Sequence, residues 1–321
     1  MTRLRSLAVL VALFLATGAI RAQERPVAKI DQAATAPVRS VPTPAEIIMP
    51  HITDSKVVDL PCVKSWREWN CEVTLPTWNV TVGSHVIDMG PTKHVVFLAL
   101  AGFLCILMLL TVARSHGLAS REIGRPKGFP AALEAVILYL RNEVYIPVLG
   151  KHGGAAFVPF TLTLCFFIAF CNLMGMFPWG STPTGNVSVT ATLAIITFIT
   201  VEVAGMRALG AGYVNTIIYW PHDMSIAMKL PLTLILTPIE LLSKFTKPFA
   251  LTIRLFANMI AGHIIILALI ALLFAFGVYA APGILMALFI MGLELLVALI
   301  QAFLFSLLAA VFIGQIRTAH H

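Results

Sequence analysis

The residues best suited to chemistry lie in the C-terminal part of the chain, within sequence that is otherwise almost free of charge. Arg254 stands among leucine, isoleucine and phenylalanine, His263 follows nine residues later, and Glu294 and Gln301 lie in the next apolar stretch. An arginine buried in a bilayer costs at least about 2.5–3.5 kcal/mol, so it needs a partner. No acidic residue lies one helical turn away. The partner is therefore remote in the chain or on another protein, unless the side chain snorkels to an interface.

Helical phase sorts the neighbouring polar groups. At 100° per residue, one stripe of a helix carries Glu240, Ser243, Lys244, Lys247, Arg254 and Asn258, and His263 lies on the opposite face. Mirror counting across the next turn places Glu294 level with His263, and Gln301 level with Asn258. His263 and Glu294 can exchange protons, whereas Asn258 and Gln301 only orient water or donate hydrogen bonds. This pattern favours a proton or ion path with two separate cavities; a packing histidine beside a protonated Glu294 is the alternative.

The composition indicates what surrounds these groups. Of 321 residues, 59% are hydrophobic and only 12% are charged, against roughly 25% charged in soluble domains. This excludes a protein whose whole surface faces water. The formal net charge of +7 fits loop anchors rather than nucleic-acid binding, because no basic run is interleaved with aromatic residues. We expect no cofactor and no metal, and the sequence has no Gly-rich phosphate loop.

Five apolar stretches reach the roughly 20 residues that a bilayer requires. They span residues 95–113, 157–176, 187–205, 230–276 and 283–316. The last two are too long for upright helices and meet at a turn over 277–282, with Pro238 and Pro248 as candidate breaks in the earlier one. The sequence therefore predicts an all-α multi-pass membrane protein with five transmembrane helices and a long tilted C-terminal helical hairpin.

The N-terminal part is predicted to be exported. Residues 1–22 combine a basic start, an apolar run and a small-residue end, typical of a secretory signal cleaved after Ala22; an uncleaved anchor is the alternative. Residues 23–92 then form a Pro-rich linker and a small cap, in which Cys62 and Cys71 form a disulfide or remain free thiols. The membrane domain occupies residues 93–321.

Loop charges fix the orientation. A basic cluster after the first span keeps that loop in the cytoplasm, so the cap is periplasmic and the C-terminus is cytoplasmic. Residues 129–149 are amphipathic and are predicted to lie on the membrane rather than cross it. The remaining cysteines are expected to be small buried hydrophobic residues: Cys105, Cys165 and Cys171.

Four runs of sequence around the polar groups form a specific pattern. They read PIELLS at 238–243, KPFALTIRLFANM at 247–259 followed by Gly262-His263, QAF at 301–303 after Glu294, and PTGNVSVT at 183–190. Over about residues 126–316 the chain resembles subunit a of the rotary F-type ATP synthases. Some bacterial members have an acid where His263 stands and a histidine where Glu294 stands, so the pair is exchanged here. Asn186 stands where some relatives have an acid.

The resemblance implies a function for each polar group. Arg254 would face a ring of c subunits and interact with their ion-carrying carboxylate. An outer half-channel would involve Asn258, His263, Glu294 and Gln301, and an inner one Glu240, Ser243 and Lys244. The implied partners are the c-subunit ring, b-type peripheral stalk subunits and the remainder of the F-type ATP synthase, within the lipid bilayer of the bacterial inner membrane. This chain would be a non-catalytic proton channel.

Two other classes of protein fit less well. A secondary ion transporter with a midplane Arg/His/Glu site is usually built from repeated halves, and the sequence contains no internal repeat. An intramembrane hydrolase needs a nucleophile with a base or a metal cluster, which His263 and Glu294 alone do not supply, and the H-E-x-x-H motif is absent.

Overall fold

The computed structural model describes residues 53–65, 68–82, 85–88, 90–119, 128–150, 153–177, 180–218, 226–276 and 281–318. The signal sequence predicted over residues 1–22, most of the linker and most of the turn at 277–282 lie outside these residues.

The cap that the sequence predicts to be exported contains two β-hairpins. Strand β1 (Val57–Ser65) pairs antiparallel with β2 (Glu68–Thr74), and β3 (Asn79–Val82) pairs with β4 (His85–Asp88). The register places Cys71 opposite Leu60, two positions before Cys62 on β1. A disulfide between Cys62 and Cys71 stays a prediction. The sequence predicts an ordered cap here but does not specify strands. The described membrane part is all-α, as predicted.

The rest of the described chain is helical. Its α-helices are α1 (Lys93–Ala119), α2 (Phe129–Tyr139), α3 (Ile146–Leu149), α4 (Val158–Met174), α5 (Val187–Leu209), α6 (Ile226–Phe276) and α7 (Ala281–Thr318). Five spans within the described residues are long and apolar enough to cross a membrane: Lys93–Arg114, Gly154–Met174, Val187–Leu209, Leu230–Leu269 and Pro282–Arg317. These are the five predicted spans, with ends shifted by a few residues.

The predicted amphipathic segment is helical from residue 129 to residue 149. A π-helical turn, Leu140–Tyr145, separates α2 from the four-residue α3. With 21 residues, the segment is long enough to cross a bilayer, but it is not among the five candidate spans within the described residues. That this segment lies along the membrane surface stays a prediction.

Helices α6 and α7 greatly exceed the membrane thickness. α6 has 51 residues and α7 has 38, which at 1.5 Å per residue makes them about 75 and 57 Å long. α6 continues through Pro231, Pro238 and Pro248, so the breaks considered at Pro238 and Pro248 do not occur. The hydrocarbon core contains no water that could replace a broken backbone hydrogen bond. Interrupting the helix at a proline would therefore be costly, and this favours a continuous helix on both sides of each proline.

Helix α7 forms the centre of the membrane domain, in contact with α4, α5 and α6, and α1 packs on the outside of α4. Small side chains on α7 allow this close approach: Ala298, Ala302, Ala309 and Ala310 are almost fully buried. Leu255 and Met259 of α6 pack into the same core. The three cysteines predicted to be buried, Cys105, Cys165 and Cys171, are buried.

Candidate ion pathway

His263 of α6 and Glu294 of α7 form a buried titratable pair. His263 Nδ1 lies 3.0 Å from Glu294 Oε1, and only 3% of the Glu294 side chain is exposed. The prediction that these residues share one level of the hairpin is confirmed. Gly262 makes the approach possible, because a Cβ there would lie 3.0 Å from Glu294 Cδ and Oε1. Within the described part of the chain, Glu294 Oε2 accepts no hydrogen bond.

A small cavity adjoins His263. It measures about 20 Å³, and its polar lining consists of His94, Ser181, Thr182 and His263. Gly175 lies beside it: a Cβ on this residue would overlap the Thr182 hydroxyl and lie 3.2 Å from His263 Cε1. The cavity therefore connects the His263–Glu294 pair with the first turn of α1.

Arg254 lies nine residues before His263 on α6 and is exposed. It forms neither an ion pair nor a hydrogen bond with any residue that the structure describes. At 100° per residue, its face of α6 also carries Ala250, Ala261 and Ile265, which are exposed as well. An unpartnered guanidinium is thus surrounded by small and apolar side chains, and His263 lies on a different face, as the helical phase predicts.

An open cleft lies toward the other end of α6. It has a volume of about 250 Å³ between α5, α6 and α7, and its polar lining includes Glu202, Glu240, Lys244 and Gln315. The residues predicted for an inner half-channel are therefore only partly assembled. Glu240 and Lys244 line the cleft, but Ser243 is not among the lining residues; it lies beside this surface of α6 rather than on it.

Lys244 is the most closely held charge in the cleft. Its Nζ lies 3.3 Å from Glu202 Oε2, and it donates to the Tyr213 hydroxyl at 3.2 Å and the Thr216 hydroxyl at 3.3 Å. The Tyr213 ring also lies beneath the ammonium, with its centroid 4.7 Å away. The Lys244 side chain is only 10% exposed, and the Glu202 side chain is 16% exposed. The two charges thus compensate each other inside the fold, and Lys244 is buried against α5 instead of sharing the exposed surface of Arg254.

Gln301 and Asn258, which the sequence predicts as site residues, make no polar contact with the described residues. Gln301 is buried and Asn258 is half-buried, and neither forms a hydrogen bond with the described residues. The second layer of the hairpin, Gln301 level with Asn258, stays a prediction. Asn186 caps α5, accepting a hydrogen bond from the Ser188 backbone N–H at 2.9 Å, so it has a structural contact.

Further polar contacts fix the helices around the site. Fully buried Asn172 of α4 donates to the Ala298 carbonyl of α7 at 2.9 Å and accepts from the Thr184 hydroxyl at 2.6 Å. The Tyr145 and Ser306 hydroxyls are hydrogen-bonded at 2.7 Å. The Asn172 contact joins α4 to α7 one helical turn after Glu294, and the Tyr145 contact joins the π-helical turn to α7.

Sequence reasoning did not find Glu202, Tyr213, Asp54 or His94. Glu202 carried a usable signal, since it is the first charge after a long apolar run and an acid in a span needs a partner. Asp54 and His94 gave no local signal, because forty residues separate them.

A bundle of membrane-spanning helices that buries paired titratable groups is typical of proteins that carry ions across membranes. The ATP synthase A chain family matches residues 95–314. The chain is 40% identical over 279 residues to the ATP synthase subunit a of Anaeromyxobacter dehalogenans (strain 2CP-C), which covers 86% of this chain and 71% of that protein. It is 40% identical over 284 residues to the ATP synthase subunit a 2 of Chlorobaculum tepidum, covering 86% and 74%. It is 41% identical over 246 residues to the ATP synthase subunit a of Myxococcus xanthus, covering 73% and 76%.

This chain belongs to the ATP synthase A chain family. The resemblance found in the sequence is thereby confirmed. The chain is a membrane protein whose partners are the other subunits of an F-type ATP synthase.

Proposed function

We propose that this chain is the proton-translocating stator subunit of an F-type ATP synthase, with no catalytic site of its own. It would lie in a bacterial inner membrane with its signal-bearing N-terminal segment exported to the periplasm and its C-terminus in the cytoplasm. The relatives named ATP synthase subunit a support this function, and the polar groups of α5, α6 and α7 supply the chemistry.

One observation carries the proposal: Arg254 is exposed and unpartnered among the described residues, between two polar regions of α6. Glu240 lies 14 residues before it and His263 nine residues after it, or about 21 and 13 Å along the helix axis. A guanidinium at membrane depth requires a compensating anion. The exposed alanines beside it leave room for a neighbouring helix to approach closely.

The outer polar region would load protons onto a c-subunit ring. Protons would reach the ring through the region of His263 and Glu294, with Asn258 and Gln301 orienting water on the way. The imidazole and the carboxylate are in contact at 3.0 Å, so a proton can pass between them directly. A ring carboxylate neutralised in this way can face lipid at low cost, whereas an ionised one cannot.

The inner polar region would unload the ring. After rotation, each ring carboxylate would reach the cleft at Glu240 and release its proton toward the cytoplasm. Ser243 lies beside this cleft and Lys244 within it. Arg254 would stabilise the ionised ring carboxylate and prevent protons from passing directly between the regions. A leak there would dissipate about 2.3 kcal/mol per charge for each 100 mV of membrane potential.

The proposal also implies a fixed attachment. A subunit that exerts force on a rotating ring must be held against it, so b-type peripheral stalk subunits would bind this chain in addition to the ring. Long tilted α6 and α7 would follow the curved ring surface, since neither fits upright within a hydrocarbon core of about 30 Å.

The decisive experiment replaces Arg254 in the assembled ATP synthase. Arg254→Ala should abolish ATP-driven proton pumping in membrane vesicles, while ATP hydrolysis by the detached catalytic head continues. Arg207→Ala is the matched control, because Arg207 is an exposed arginine at the end of α5 that the mechanism does not use. Normal pumping by Arg254→Ala would overturn the proposed function.

A further inference from the structure

We propose that Asp54 of the exported cap and His94 at the start of α1 form the outer mouth of the proton path, as a relay that delivers protons to the His263–Glu294 pair. The proposal rests on the proposed function, since it assigns the entrance of the outer half-channel. It also gives the exported cap a part in proton transfer.

The cap segment closes the N-terminal end of α1. Asp54 Oδ1 accepts a hydrogen bond from the His94 backbone N–H at 3.3 Å, and the Ser55 carbonyl accepts one from the Lys93 backbone N–H at 2.8 Å. The first N–H groups of a helix have no partner within the helix, and a negative charge there is favourable. This contact joins the cap to the membrane domain at one defined point.

The side chains at this point lead from water into the protein. His94 Nδ1 lies 2.8 Å from Asp54 Oδ1, within ion-pair distance, although the two atoms are not aligned for a hydrogen bond. The Asp54 side chain is 31% exposed, whereas that of His94 is 4% exposed. The carboxylate can therefore take up protons from outside, and the imidazole carries the contact inward.

Electrostatics keep this carboxylate in its charged form. Burial alone would raise the pKa of Asp54, but the contacts with His94 and Thr92 together lower it more, so the pKa lies below its ordinary value of 3.8. Asp54 is thus ionised at neutral pH and attracts protons to the mouth. Among the described residues, the other titratable groups near this path are Lys93, His263 and Glu294.

The cavity described above connects His94 to His263. Its volume of about 20 Å³ is enough for one water molecule, which needs two to four polar partners. His94 and His263 border the cavity, and so do Ser181 and Thr182, whose buried hydroxyls make no hydrogen bond within the described residues. A water in this position would have polar partners on several sides and would bridge the two imidazoles.

The proton steps balance along this route. A small rotation of the imidazole aligns His94 Nδ1 with the Asp54 carboxylate 2.8 Å away. A proton taken up by Asp54 then passes to Nδ1, and the proton on the other ring nitrogen leaves to the cavity water. That water gives a proton to His263, which is in contact with Glu294. Each transfer breaks one bond to hydrogen and forms another, and no group gains or loses electrons. A flip of the His94 ring then exchanges its two nitrogens, which restores the starting arrangement without reversing the transfer.

The test uses the complete ATP synthase in vesicles, with ATP synthesis driven by an imposed proton gradient. Asp54→Asn keeps an oxygen that can cap α1 but removes the charge, so the contact with α1 is retained. Positioned acid–base groups contribute at least a hundredfold to proton transfer; because water offers a parallel route, we expect a loss of about tenfold per assembled complex. The loss should be largest at alkaline outer pH, where free protons are scarce.

Matched variants separate a relay from a structural contact. Asp59→Asn makes the same charge change on β1, where the backbone pairs with Glu72, and should leave the rate unchanged. Asp54→Glu should restore most of the rate. Thr182→Val keeps the size of the side chain but removes a cavity hydroxyl, and should slow synthesis several-fold.

The possible outcomes are distinct. An unchanged rate and pH profile in Asp54→Asn, with pumping abolished in Arg254→Ala, would overturn the relay alone. A loss in Asp54→Asn that follows only the amount of assembled complex, with a normal rate in Thr182→Val, would overturn it as well. Normal pumping in Arg254→Ala would overturn the proposed function, and the relay with it.

Discussion

Replacing Lys244 with methionine should destabilise the protein, because it leaves Glu202 charged and nearly buried without its partner. The change removes the 3.3 Å ion pair and the hydrogen bonds to Tyr213 and Thr216. Breaking a fully buried ion pair from one side costs about 3–5 kcal/mol. Because the cleft is open and 16% of the Glu202 side chain is exposed, we expect about 2 kcal/mol, a roughly 30-fold change in the unfolding equilibrium.

A double-mutant cycle is the appropriate assay. Lys244→Met, Glu202→Gln and the combined variant are unfolded in mixed detergent micelles, and the free energies of unfolding are compared. The combined variant should lie within about 1 kcal/mol of the original protein, since replacing both members of a buried pair is often nearly neutral. A loss below about 0.5 kcal/mol for Lys244→Met, or a double variant no more stable than the single variants, would refute the reasoning.

Exchanging His263 and Glu294 should be tolerated better than either change alone, because His263→Glu with Glu294→His keeps one imidazole and one carboxylate in contact. Proton pumping measures this, and a double variant no better than the worse single one would contradict a joint site. Gly262→Ala should displace the Glu294 carboxylate and lower pumping by about tenfold, since its Cβ would lie 3.0 Å from Cδ. Gly292→Ala on α7, with nothing within 4 Å of its Cβ, should pump normally.

The membrane spans could be predicted from the sequence because apolar length is a local property. The first predicted span, residues 95–113, corresponds to Lys93–Arg114, and the long hairpin appears as α6 and α7. The breaks considered at Pro238 and Pro248 do not occur. A proline is a local signal, because it removes one backbone hydrogen bond at one position. The continuity of α6 depends instead on its whole apolar environment, which the local sequence pattern does not describe.

Among the polar contacts, too, those within the helical hairpin could be predicted from the sequence better than those that depend on tertiary packing. His263 and Glu294 could be paired by counting across a hairpin, since both lie on consecutive antiparallel helices. Lys244 and Glu202 could not, because 42 residues separate them and the angle between α5 and α6 decides whether they meet. Helical phase alone therefore places Lys244 on one stripe with Arg254. Tertiary packing instead buries Lys244 and leaves Arg254 exposed.

The arrangement of charge on α6 supports the proposed role of Arg254 more strongly than composition does. Lys244 meets Glu202, and His263 meets Glu294, so each of these groups is compensated within the chain. Arg254 alone among these three bases lacks an anionic partner in the described part of the chain, and it is exposed where small side chains permit close approach. Glu240 and Lys247 of α6 also lack an ion-pair partner among the described residues, but both line the open cleft. Arg254 lies outside that cleft among apolar side chains, so its uncompensated charge supports an anion supplied from outside the chain. In the proposed mechanism, a c-ring carboxylate would pass Arg254 once in each rotation and would supply the required charge.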